Sequence, residues 1–141
     1  ETISSHPSVA MVGAIGQPDA EKGELPCAYV QLNDGENSTP GELISFCENK
    51  ITEMAALPKY IEIIEEMPLT AVGKIFKPDL RKKAISRVFD EAFSKASIKA
   101  QVNSVIEHPK EGLKAHIMTE DSPENISKVL SPYTVGWQLM K

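Results

Sequence analysis

Cysteine is nearly absent, since Cys27 and Cys47 are the only two in 141 residues. They are too few and too far apart for a disulfide framework or a metal knuckle, and both read as small buried hydrophobes. No run approaches the ~18 to 20 consecutive apolar residues that would span a bilayer, and the opening Glu1-Thr2-Ile3-Ser4-Ser5-His6-Pro7 has neither basic nor apolar signal-peptide character, so a cytoplasmic location is expected. Positive charge is not in excess: 15 Lys and Arg stand against 20 Asp and Glu, a formal charge of −5, which argues against a surface built for nucleic-acid phosphates. There is no fixed-period repeat, no low-complexity tract and no initiator Met. The chain enters at once into His6-Pro7 and is expected to be cut from something larger. What is present is globular composition, with 41% hydrophobic and 25% charged residues.

The apolar run Val9 to Gly16, closed by Gln17-Pro18-Asp19, predicts a strand buried on both faces. After a charged loop from Ala20 to Glu24, Leu25 to Leu32 predicts a second strand, antiparallel to the first, whose start Pro26 places near an edge. Thr39-Pro40-Gly41-Glu42 combines an N-cap residue, Pro at the first helical position and Glu three after the cap. The helix it opens carries Leu43, Ile44, Phe46, Cys47, Ile51 and Met54 on one stripe and ends before Leu57-Pro58. Tyr60 to Glu66 reads as a third strand, and Leu69 to Phe76 as a short hairpin or ordered loop around Gly73.

Pro78-Asp79 predicts a further helix with Leu80, Ala84, Ile85, Val88, Phe89, Ala92, Phe93 and Ala96 on its apolar face. Beyond Ile98 the pattern changes to a hairpin turning at Pro109–Gly112, a short helix opened by Ser122-Pro123, and a last strand carrying Val135, Trp137 and Leu139. The expected fold is therefore α+β: a small mixed or antiparallel sheet of about three strands flanked by helices over 1–97, with a β-β-α-β extension over 98–141 packed on it.

Lys74 follows Gly73 at the tip of the short loop, where glycine lets the backbone turn and the long cationic arm reaches outward. Pro68 and Thr70 stiffen the approach, and Ile75 and Phe76 can anchor the far side. Alone, that arrangement is an ordinary exposed turn lysine. The longer run Glu65-Glu66-Met67-Pro68-Leu69-Thr70-Ala71-Val72-Gly73-Lys74-Ile75 resembles the last signature of the AMP-forming acyl-CoA synthetases. His6 to Ala10, the Gly13 to Gly16 stretch, Gln17-Pro18-Asp19, Gly23-Glu24 and Ala28-Tyr29-Val30 stand in the order of that family's small C-terminal domain, and the resemblance covers about residues 1–83.

The resemblance implies a ligase that joins a carboxylic acid, expected to be a fatty acid, to coenzyme A through an acyl-adenylate. Lys74 matches the family's adenylation lysine, with Pro68, Thr70 and Gly73 as its supporting loop. Gly16, Gln17, Gly23 and Glu24 lie where members face the large domain or touch coenzyme A. ATP with Mg2+ and CoA would be held mainly by an N-terminal domain of the same polypeptide, leaving this piece inert by itself. One departure is visible: where many members carry arginines after Gly-Lys, this chain has Phe76-Lys77-Pro78-Asp79 before Leu80-Arg81-Lys82-Lys83. Lys77, Arg81, Lys82 and Lys83 could draw CoA phosphates or peripheral lipid headgroups, although a solvated helix face is the favoured reading. His6, His108 and His116, and the aromatics Tyr133 and Trp137, read as structural. Two other readings stay open: a non-catalytic module that binds a small ligand or a protein, and an adenylating fragment that serves a carrier protein.

Overall fold

The computed structural model describes residues 3–50 and 57–140. Two compact units divide the chain: Glu1–Gly16 with Leu25–Leu80, and Gln17–Glu24 with Arg81–Lys141. Each has its own three-stranded sheet and its own apolar cluster.

Strands β1 (Val9–Asp19) and β2 (Gly23–Leu32), which lie in the first unit except for the stretch Gln17–Glu24 around their connection, are neighbours, and that short connection requires them to run antiparallel. Asp19 makes that turn by accepting the backbone N–H groups of Glu21 and Lys22 on Oδ2, at 3.2 and 2.9 Å. Strand β1 therefore continues through Gln17-Pro18-Asp19, where a turn was expected, and an edge strand tolerates the proline. Nor is it buried on both faces, because Ala10 and Ala14 are exposed. Helix α1 (Pro40–Lys50) leads to β3 (Tyr60–Ile63), which pairs parallel with β2 in the register Cys27↔Tyr60 to Val30↔Ile63. Thr39 caps α1 by accepting the Glu42 N–H at 3.1 Å. Ile51 and Met54, and the expected end of the helix before Leu57, lie outside the described residues.

Strand β2 is central rather than at an edge, which corrects the reading of Pro26. The Pro26 carbonyl accepts the N–H of Lys59 just before β3 begins. The nitrogen on that same side thus faces no strand, and its missing hydrogen costs no ladder bond. Strand β3 ends at Ile63, short of Glu66. Leu43, Cys47, Ala28, Val30 and Ile61 close this unit's core, and burial pushes the Cys47 thiol up, away from a reactive thiolate.

Helix α2 (Lys77–Lys95) crosses from one unit to the other, and from Arg81 onward belongs to the second. Its Ile85, Val88, Phe89 and Phe93 pack with Val105, Ala115 and Ile117 from β4 (Ala100–His108) and β5 (Gly112–Thr119), and with Ile126 and Leu130 from α3 (Pro123–Leu130). Strand β6 (Gly136–Leu139) runs parallel to β5, completing the expected β-β-α-β order. The boundary expected between 97 and 98 falls inside this second unit, because the sheet needs the apolar face of α2 to bury its own.

The ends of these helices follow side-chain chemistry. Ser122 caps α3, accepting the Asn125 N–H at 3.2 Å, and the Asn125 amide in turn donates to Asp121 at 2.6 Å. That bond, with the Ser122 N–H, holds the Asp121 carboxyl below its ordinary range. Edge strand β4 shifts register between Val102 and Ser104, and the Val102 N–H there donates to Asp90 Oδ1 on α2 at 2.8 Å.

Candidate functional site

Residues 68–76 fold back on themselves in a short hairpin. Leu69 and Ile75 form an antiparallel bridge, the Phe76 N–H donates to the Pro68 carbonyl at 2.8 Å, and the Thr70 N–H donates to the Lys74 carbonyl at 2.7 Å. At the tip, the Gly73 N–H donates to the Thr70 carbonyl at 2.9 Å, with Gly73 at φ +84°. This is the hairpin in which a tight turn is followed by a residue in the left-handed region, a position that glycine takes without the cost of a Cβ. The Lys74 side chain is exposed beside it, and Leu69, Val72 and Phe76 are exposed too, Val72 to 81%. The hairpin thus presents one cation among apolar side chains, on a backbone held by its own hydrogen bonds.

Its neck is anchored in the first unit. The Met67 N–H donates to Gln31 Oε1 on β2 at 2.7 Å, and Met67 is 2% exposed. Gly13 on β1 lies beneath: a Cβ there would overlap Leu80 Cδ1 and come within 3.3 Å of Ile75 Cγ2 and 3.6 Å of Met67 Sδ. Leu80 is fully buried and has little room to yield. Gly13→Ala is expected to lower stability by about 1 to 3 kcal/mol, read as a lower urea midpoint. An unchanged midpoint would mean that Leu80 moves aside freely.

Pro68, Thr70, Gly73 and Lys74 therefore meet in one element, as the loop reading expects. Gln31 was invisible in the sequence, since it lies 36 residues from its partner and a strand glutamine carries no local signal. Thr70 does more than stiffen the approach through its β-branch, because its hydroxyl accepts the Lys74 N–H at 3.1 Å. The other candidates are elsewhere on the chain. Gly16 and Gly23 are half-buried, Gly23 at φ +82° beside the β1–β2 turn, and Glu24 is exposed. Gln17 Oε1 accepts from Arg87 Nη2 of α2 at 2.8 Å, a tie within the second unit.

Lys77, Arg81 and Lys83 are exposed and Lys82 half-buried on α2. No helix is long and apolar enough to cross a membrane among the described residues. His6 stacks edge-on against Phe46 with ring centroids 4.8 Å apart, and His108 Nδ1 receives the turn N–H groups of Lys110 and Glu111. His116 is half-buried on β5. Tyr133 packs at 5.2 Å on Phe89, and burial together with Asp19 and Glu91 pushes its phenol up. Trp137 lies against the same cluster.

Comparison with known proteins matches residues 1–74 to the family model described as the AMP-binding enzyme C-terminal domain. A marinolic acid–CoA ligase from a Pseudoalteromonas species is 46% identical over 90 residues, which is 64% of this chain and 14% of that ligase. This chain therefore spans about one seventh of that relative's length. Among solved structures, a fatty acyl CoA synthetase of Mycobacterium tuberculosis superposes with TM-score 0.51 at 32% identity, over 57% of this chain and 16% of that one. The amide bond synthetase McbA of Marinactinospora thermotolerans superposes with TM-score 0.52 at 29% identity, over the same shares.

Proposed function

Because this chain belongs to the family of AMP-binding enzyme C-terminal domains, we propose that it completes an ATP-dependent acid–CoA ligase by delivering Lys74 to the reacting carboxylate and α-phosphate. The observation that carries the proposal is the exposed Lys74 on its hydrogen-bonded hairpin. In the first step a carboxylate oxygen forms a bond to the α-phosphorus of ATP while the bond to the bridging oxygen breaks, releasing pyrophosphate. Both reactants are anions. An ammonium between them offsets their repulsion on approach and stabilises charge that grows as pyrophosphate leaves. A lysine on a mobile loop does this poorly, because its backbone origin wanders as well as its arm; a hydrogen-bonded hairpin fixes that origin and leaves fewer directions to select.

In the second step the thiol sulfur of CoA attacks the acyl carbonyl and AMP departs. The thiol proton is lost to solvent and AMP leaves as an anion; the carboxylate–phosphorus bond that Lys74 assists is already made by then, and the domain rotates to withdraw the lysine. A fatty acid as the substrate is favoured by the likeness to a fatty acyl CoA synthetase. The likeness to an amide bond synthetase supports a second reading, in which the same adenylate is passed to a different acceptor. The remainder of the polypeptide is the partner that binds ATP, its Mg2+ and the acid, and no residue of this chain is assigned to the magnesium. The test is acid-dependent exchange of labelled pyrophosphate into ATP by the full-length protein. Absence of exchange with every acid of a chain-length series overturns the adenylation step; exchange without CoA-thioester product moves the acceptor from CoA to another nucleophile.

A further inference from the structure

Lys74 is bound to its hairpin at both ends of its peptide by one residue. Its carbonyl accepts the Thr70 N–H at 2.7 Å, and its N–H donates to Thr70 Oγ1 at 3.1 Å. The second bond comes from a side chain. In a three-residue hairpin loop the residue after the left-handed glycine sits at a bulge, and here the Thr70 carbonyl that would otherwise accept its N–H is taken by Gly73. Thr70 accepts that N–H with its side chain instead. We propose that the Thr70 hydroxyl is a positioning device for Lys74: it fixes the orientation of the Lys74 peptide and so the direction in which the ammonium leaves the hairpin.

The proposal deepens the adenylation reading and rests on it. The side chain leaves from the Cα between those two bonded groups. If the N–H is released to water, the peptide can rock about the remaining carbonyl bond, and the error grows along a four-carbon arm. Misplacement by about 1 Å can cost a hundredfold when a reacting group must be aligned. The bond is exposed, so water substitutes for part of what is lost, and the net effect of one such bond corresponds to about tenfold in rate at most. The remaining bonds, Phe76 to Pro68, Gly73 to Thr70 and Thr70 to Lys74, do not use the hydroxyl and keep the hairpin closed. The fault is therefore confined to the aim of the lysine.

The test uses the full-length protein with the two half-reactions measured apart. Thr70→Val keeps the β-branch and removes the hydroxyl; it is expected to lower kcat for adenylation about tenfold, with KM for acid and ATP unchanged and thioester formation from supplied acyl-adenylate retained. Thr70→Ser keeps the hydroxyl and is expected to return adenylation to within about threefold of wild type. Adenylation at the wild-type rate in Thr70→Val overturns the proposal. So does a Ser variant as slow as the Val variant, or an equal loss in both half-reactions, which would mark general damage to the hairpin. Lys74→Ala run alongside separates the premises: if it spares adenylation, the role of Lys74 falls and the proposal with it, whereas loss in Lys74→Ala with none in Thr70→Val removes the Thr70 role alone.

Discussion

Lys74→Ala in the full-length protein is expected to slow acyl-adenylate formation by about a hundredfold to a thousandfold, which corresponds to ~3 to 4 kcal/mol of lost transition-state stabilisation. The effect is large because the ammonium interacts most strongly where negative charge is growing, inside a site from which water is displaced, so solvent does not replace it fully. It is also selective. Conversion of supplied acyl-adenylate and CoA to thioester should fall by much less, since the bond between carboxylate oxygen and α-phosphorus that the lysine assists is already in place. Stability should not change measurably, because the side chain is exposed and supports no packing. Separate assay of the two half-reactions checks all of this, and equal loss in both would remove the assigned role. Lys74→Arg is expected to recover little, because the planar fork is bulkier and cannot place a compact charge at the same point.

Phe89→Ala is expected to destabilise the second unit by about 3 to 5 kcal/mol. Phe89 is fully buried on α2, in the cluster where Val105, Ala115 and Ile117 of the sheet meet Ile126 and Leu130 of α3, with Tyr133 against its ring. Truncation removes the ring's transfer free energy and leaves a cavity between a helix and a three-stranded sheet that can collapse only in part. Domains of this size are stable by roughly 5 to 15 kcal/mol, so the loss takes a large share. The single tryptophan, Trp137, packs against this same cluster and gives the readout. Its fluorescence transition should move to distinctly lower urea in the variant, and an unmoved transition would mean that the cluster does not hold this unit together.

Much of this architecture was legible because its signals are local. Helices α2 and α3 announce themselves through apolar residues spaced three and four apart and through Pro near the start; the hairpin of β4 and β5 through alternation on either side of Gly112; the Lys74 hairpin through Pro68 and Gly73 bracketing an interval too short for a helix. The failures share a cause as well. Gln17-Pro18-Asp19 has turn composition, yet it continues β1, because the real turn is supplied by Asp19 folding its carboxylate onto the next backbone amides. Pro26 looked like an edge marker, but the edge it needs is only the length of chain before β3 joins. The bonds from Gln31 to Met67 and from Arg87 to Gln17 span 36 and 70 residues, and nothing local distinguishes those glutamines from any other. Contacts that tertiary folding creates between distant polar groups leave no period and no spacing to read.

The bond from Val102 to Asp90 bears on how this chain behaves among other molecules of its own kind. Strand β4 is an outer strand, and an outer strand with free amides offers a template onto which a foreign β-segment can zip. Here the irregularity between Val102 and Ser104 breaks the even spacing such a segment would need, and a helix carboxylate already occupies one of the donors. Resistance to runaway stacking is thus built into this border by one misaligned residue and one acid.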